Sequence, residues 1–231
     1  MSGDPDIVAI GGAGFAESSA PLLDLVLGLA PSERPRVAFL PTASGDSPEH
    51  IVAFYTAFGR FRCEREHVAL FGKPEPGEVR RAIERADVVY VGGGNTANLL
   101  AVWRVHGLDR LLREAWQRGA VLCGTSAGAN CWFEACTTDS FGPIAPLTDG
   151  LGLLAGSFCP HYDAEPERRP TFIRLVSAGF PAGYAADDGV ALHFRGTELL
   201  EAVAAPAGGA AYRVRPDGEA ALAVRRLEPV G

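Results

Sequence analysis

Ala120-Val121-Leu122-Cys123-Gly124-Thr125-Ser126-Ala127-Gly128 decides how this chain is read. The first four residues are apolar without a break, the mark of a strand buried on both faces. Glycines then flank Ser126 on both sides, and a helix is expected over residues 127–133. G-x-S-x-G between a strand and a helix holds a serine on a sharp turn, with its hydroxyl projecting above the carboxyl edge of the sheet. The Ala127 N–H and the start of the following helix would face a developing oxyanion. An ordinary glycine–serine loop is the plainer reading of the same residues.

Outward from that turn the same strand type recurs, as Ile7-Val8-Ala9-Ile10, Val37-Ala38-Phe39-Leu40 and Val88-Val89-Tyr90-Val91. A further strand is expected at 63–70. Helices are expected over 22–29, 50–58 and 78–86, and on the spacing of Leu108, Leu111, Leu112 and Ala115, with Gly119 following that last helix. Buried strands alternating with helices imply an α/β protein with a mostly parallel, doubly wound sheet flanked by helices. Beyond residue 180 the runs at 184–186, 190–194, 198–204, 211–215 and 220–226 are joined by short turns such as Pro216-Asp217-Gly218. They predict a C-terminal antiparallel strand extension along one edge of the same sheet. No linker or repeat interrupts the chain, so residues 1–231 read as a single domain.

A second glycine turn, Gly92-Gly93-Gly94-Asn95-Thr96, also follows a strand and precedes a helix. Three glycines let the backbone approach a ligand closely, and Asn95 or Thr96 can cap the helix. Ligands of such sheets bind at the carboxyl ends of strands, so this turn and Ser126 could share one crevice. The Gly94 N–H is then a candidate second oxyanion donor, and Asn95 a candidate substrate-binding residue. A phosphate cradle is the rival reading, but no P-loop lysine follows. Gly11-Gly12-Ala13-Gly14 lacks the spacing of a dinucleotide fingerprint, because Glu17 stands where a third glycine or alanine belongs. It reads as a structural turn that could line the crevice.

Composition narrows the function. The chain has 231 residues, 47% hydrophobic and 21% charged, which suits a globular domain and not a disordered one. Its net charge of −7, with no basic stripe, argues against a nucleic-acid partner. Lys73 is the one lysine and sits in an expected turn, so a buried catalytic lysine is not anticipated. The five cysteines read as reduced thiols of a cytoplasmic protein. No C-x-x-C or H-x-x-x-H pair occurs, so neither a metal site nor a cofactor is expected. The first residues show no leader pattern, and no apolar run is long enough to span a membrane.

A serine nucleophile needs a base within hydrogen-bond reach. His50, His67, His106 and His193 fall in expected helices, a strand or a helix linker. His161, in Cys159-Pro160-His161-Tyr162-Asp163, follows an apolar run and a turn-fixing proline. A carboxylate must orient it, and Asp139, Asp163, Asp187 and Asp188 are all open candidates.

Taken together, Val91-Gly-Gly-Gly-Asn-Thr96, Gly124-Thr-Ser-Ala-Gly-Ala-Asn130, Thr137-Thr-Asp139 and Pro160-His-Tyr162 resemble the peptidase E family of aspartyl dipeptidases and related cyanophycinases. The resemblance runs from the first strand to about residue 205. It implies a class I glutamine-amidotransferase-like fold with serine in place of cysteine. It also implies Ser126 as nucleophile, His161 as base, and Gly94 and Ala127 as oxyanion donors. For the acid it offers both Asp188 and Asp139; Asp188 is preferred, because it follows the histidine on an adjacent strand. In the aspartyl dipeptidases an arginine on a longer loop after the histidine is linked to recognising an N-terminal aspartate. Here only residues 162–168 separate His161 from Arg169. Arg168 and Arg169 remain available to pair a carboxylate, with Arg169 the candidate substrate-binding residue. The reading is therefore a serine peptidase acting on short peptides through an acyl-enzyme. Its rivals are an esterase of α/β-hydrolase type, with Ser126, Asp139 and His161 in that order, and a non-catalytic binding module on the same fold. The edge strand of the extension could pair with a second copy to form a homodimer.

Overall fold

The computed structural model describes residues 4–72 and 74–230. Lys73, at the centre of its expected turn, lies outside the described residues, as do the first three residues and Gly231. The first half alternates strand and helix. The elements are β1 (Asp6–Ile10), α1 (Ala20–Leu29), β2 (Arg36–Leu40), α2 (Pro48–Phe58), β3 (Glu64–His67), α3 (Pro76–Arg85), β4 (Val88–Val91), α4 (Thr96–His106), α5 (Leu108–Gln117) and β5 (Val121–Thr125). The second half is richer in strands. It comprises α6 (Ala127–Asn130), β6 (Phe133–Thr138), β7 (Ala145–Leu147), β8 (Leu154–Cys159), α7 (Arg168–Ser177), β9 (Gly183–Ala186), β10 (Val190–Arg195), β11 (Glu198–Ala204), β12 (Ala211–Arg215), β13 (Gly218–Ala221) and β14 (Val224–Arg226).

The strands form two sheets, one of eight strands in the order β14-β11-β10-β1-β5-β4-β2-β3 and one of six in the order β13-β12-β9-β8-β6-β7. In the larger sheet β1, β5, β4, β2 and β3 run parallel, and β10 joins β1 antiparallel. This corrects the expectation that every late strand extends one edge. β10, β11 and β14 do so, whereas β9, β12 and β13 belong to the second sheet. The physical reason is that apolar runs and turns fix local strand character, while the choice of partner is set by long-range packing.

The continuous apolar runs serve two faces at once, because successive side chains point to opposite sides. Val8, Ile10, Phe39 and Tyr90 pack with Leu22, Val26, Phe54 and Phe58 of α1 and α2. Ile7, Ala9, Leu40 and Val91 pack on the other face with Ile83, Leu99, Trp103 and Leu112 of α3, α4 and α5. That second cluster continues into the smaller sheet through Phe133, Leu154 and Phe158. The Phe133 and Phe158 rings stack at 5.1 Å, and Phe194 of β10 meets Phe133 edge-on at 5.8 Å. The far side of the smaller sheet is covered by Phe172 and Val176 of α7.

The expected helix over 127–133 is shorter, because Phe133 opens β6 and its ring is needed between the sheets. His106 is the last residue of α4 rather than a linker residue, and Gly107 follows in the left-handed region at φ 68°. The strand expected at 63–70 is confined to Glu64–His67. Its charged residues suit an edge, where they discourage pairing with a foreign strand.

The aromatic contact between sheets yields a stability test. Phe158→Ala should cost about 3–5 kcal/mol by leaving a cavity at that seam. Urea unfolding checks it, and a loss below about 1 kcal/mol would contradict the packing described.

Candidate active site

Three strand ends and one connection between the sheets converge at the carboxyl edge of the larger sheet. β5 delivers Ser126 in a strained conformation, φ 55° and ψ −115°. The turn is possible because its glycines leave room for backbone where side chains would sit. A Cβ on Gly124 would overlap the Gly128 carbonyl, and one on Gly128 would overlap the Val91 carbonyl. The Ser126 N–H donates to the Ile10 carbonyl at 3.0 Å, and the Ser126 carbonyl accepts from Ala129 and Asn130, each at 2.9 Å. These bonds pin the turn to β1 on one side and to α6 on the other. With only four residues, α6 contributes little dipole.

His161 follows β8, also with positive φ, 53°. Its N–H donates to the Gly11 carbonyl at 3.2 Å, and the next N–H, of Tyr162, donates to Ala186 at 3.2 Å. The loop is thereby fixed to the end of β1 in one sheet and β9 in the other. Asp188 lies where the chain leaves β9 for β10, with its N–H donating to the Asp163 carboxylate at 3.0 Å. In this frame His161 Nε2 is 2.9 Å from Ser126 Oγ, and His161 Nδ1 is 2.7 Å from Asp188 Oδ1. Such a chain lets a hydroxyl pass its proton to an imidazole whose other nitrogen is held by a carboxylate. The neighbouring Asp187 turns away to accept from the Ala210 N–H at 2.7 Å, and burial pushes its carboxyl up from the usual range.

The other residues singled out from sequence have different fates. Asp139 is not brought to His161; its carboxylate faces the Arg168 guanidinium at 4.0 Å. Asn95 spends its side chain on structure, with Oδ1 capping α4 from Asn98 N–H at 2.8 Å and Nδ2 donating to the Ser140 carbonyl at 3.0 Å. Arg168 is buried and donates twice to Glu165, at 2.7 and 3.1 Å. Arg169 stands on the first turn of α7 and donates through Nε to Glu219 at 2.9 Å. Its guanidinium also lies 4.8 Å from the Tyr212 ring centre and 5.5 Å from that of Tyr162. The Tyr162 hydroxyl donates to the same Glu219 at 2.7 Å, and burial raises its phenol pKa, so it stays protonated. Gly94 borders the cleft with φ 137°, and a Cβ there would overlap the Ala43 carbonyl. Among the described residues, the amides of Gly94 and Ala127 donate to no protein acceptor.

Beside Ser126 and His161 opens a cleft of about 440 Å³, walled by the loop after β1, by α2 and by the triple-glycine turn. Phe15, His50 and Ala53 are wall residues that sequence reasoning did not assign to the site. The signal was available in part: segments that follow β1 and β2 must flank the carboxyl edge. Gly12 has a sharper role than a structural turn, since a Cβ there would overlap the Asp188 carboxylate and the His161 ring. Among the described residues no cluster of His, Cys, Asp or Glu is arranged to hold a metal ion. The cysteines are buried, and burial holds their thiols up, Cys159 at about 12, which leaves them poor nucleophiles.

A serine turn on an α/β sheet, with an imidazole and a carboxylate in line, is the arrangement that a serine-dependent hydrolase requires. The chain belongs to peptidase family S51, a serine-type peptidase family whose model matches residues 7–202. It is 50% identical over 211 residues to the uncharacterized peptidase YgaJ of Bacillus subtilis, spanning 90% of this chain and 91% of that one. It is 34% identical over 158 residues to a peptidase E of Streptomyces coelicolor, spanning 67% of this chain and 61% of the other. The crystal structure of a peptidase from an acI-B1 actinobacterium matches with a TM-score of 0.77 at 18% identity, covering 96% of both chains. That likeness shows the fold, with the class I glutamine-amidotransferase-like arrangement of sheets and helices. No helix among the described residues is long and apolar enough to cross a membrane.

The close fit at Gly12 is testable without an activity assay. In Gly12→Ala the downfield proton signal of hydrogen-bonded His161 Nδ1 should vanish, while overall stability falls by about 1–3 kcal/mol. Persistence of that signal would contradict the contact.

Proposed function

We propose that this chain hydrolyses short peptides, with Ser126 as nucleophile, His161 as general base and acid, and Asp188 as the carboxylate that orients the imidazole. The observation that carries the reading is the pair of distances at His161, 2.9 Å to Ser126 Oγ and 2.7 Å to Asp188 Oδ1. With the Nδ1 proton directed at Asp188, Nε2 accepts the Ser126 proton as Oγ attacks the scissile carbonyl. The developing oxyanion is held by the amides of Gly94 and Ala127, a contribution worth roughly 3–4 kcal/mol per donor in comparable sites. His161 then gives the proton to the leaving amine. Water, deprotonated by the same nitrogen, releases the acyl group and restores Ser126.

Short substrates are favoured by a cleft of about 440 Å³ at a sheet edge, a size suited to small ligands rather than folded chains. Residues 1–231 act in this scheme as one domain. Support comes from the site itself, since Ser126 follows a strand of the larger sheet and His161 a strand of the smaller. The esterase order, with Asp139 as the acid, has no support in the geometry, because Asp188 occupies the nitrogen that Asp139 would need.

Ser126→Ala should lower dipeptide kcat/KM by about 10⁴-fold or more with an unchanged unfolding midpoint. Asp188→Asn should lower kcat by about 10⁴-fold, whereas Asp139→Asn should stay within about tenfold of the parent. Retained turnover in Ser126→Ala, or a reversed order of the two aspartates, would reject these assignments.

A further inference from the structure

We propose that the cleft beside Ser126 is a subsite for an uncharged, apolar side chain, that of the residue whose carbonyl Ser126 attacks. The inference rests on the serine-peptidase reading above and specifies the substrate that reading leaves open. Phe15 supplies the largest apolar wall, and its ring is fixed by Phe39 at 5.4 Å and Tyr90 at 5.1 Å. Ala13, Ala16 and Ala53 complete the wall with methyl groups. The glycine turn carrying the Gly94 amide lines the same cleft. A carbonyl seated at Ser126 and that amide adjoins the cleft that Phe15 and Ala53 line, so its own side chain is within reach of that apolar wall.

Charge points the same way. Among the described residues no arginine lines the cleft, and apart from His161 the titratable wall residue is His50. The two arginines that follow His161 are committed elsewhere, Arg168 to Glu165 and Arg169 to Glu219 between two tyrosine rings. Arg60 lines the adjoining hollow that shares Phe15, Ala16 and Ala53, but it donates to Glu17 at 2.9 Å, so a carboxylate placed against Phe15 and Ala53 would lose hydration without gaining an unpaired cation. An aliphatic or aromatic side chain would instead remove apolar surface from water.

Steady-state kinetics on Leu-Ala, Phe-Ala, Asp-Ala and Gly-Ala test this, with the parent protein and with Ala53→Leu, which fills the cleft. Ser126→Ala serves as the blank. The expected result is kcat/KM for Leu-Ala or Phe-Ala exceeding that for Asp-Ala by about tenfold or more. Ala53→Leu should raise KM for Phe-Ala by about tenfold while moving Gly-Ala far less. Ser126-dependent cleavage that favours Asp-Ala would overturn the apolar subsite and leave the peptidase reading intact. So would an Ala53→Leu effect equal on all four substrates. Absence of Ser126-dependent cleavage of every dipeptide would overturn both.

Discussion

The site depends on a backbone constraint at Ser126. A serine at φ 55° and ψ −115° sits in a region that costs on the order of 1–3 kcal/mol. It persists because Gly124, Gly128 and the end of β4 close on one another with no room for another path. Sequence, packing and chemistry meet at that turn. The glycines are there because only backbone fits, and the fit thrusts the hydroxyl out of the sheet toward His161. Ala13 and His161 also carry positive φ, 80° and 53°, so Ser126 is one of three such non-glycine residues lining the cleft. Strain of this kind is held by the surrounding fold.

The second physical feature is the seam between the sheets. Ser126 belongs to the parallel core of the larger sheet, His161 to the smaller sheet, and Asp188 to the passage from one to the other. Their alignment therefore depends on how the sheets are joined, chiefly by Phe133, Phe158, Phe194 and Tyr184. Gly11 and Gly12 lie at the same seam. Gly11 accepts from the His161 amide, and Gly12 leaves room for the His161–Asp188 pair. A turn that resembles a failed dinucleotide motif is explained by close approach to a side-chain pair rather than to a phosphate.

Much of this was legible in the chain. Unbroken apolar runs identify β1, β2, β4 and β5 because strands covered on both faces cannot alternate with polar residues. The glycines around Ser126 identify the turn because few residues tolerate it. What sequence could not supply is partnership over long separations. Phe133 suits a helix end or a strand until the second sheet needs its ring. The strands after residue 180 look alike locally yet divide between two sheets. Asp139 and Asp188 are both short acids near turns; Asp188 is favoured because it follows the histidine on an adjacent strand, and the path of β9 into β10 is what carries it to the imidazole. Arg169 reads from sequence as open to a substrate, with nothing to show that Glu219, 50 residues further on, pairs with it. His50 offered only the signal of its position, in the first turn of the helix that follows β2.

The most direct measurement is labelling of the intact protein with a serine-directed fluorophosphonate, with the adduct located by peptide mass spectrometry in the parent and in His161→Ala. The account predicts one adduct, on Ser126, formed at least about a hundredfold more slowly when the imidazole is absent. An unlabelled Ser126, or labelling at an undiminished rate without His161, would contradict it.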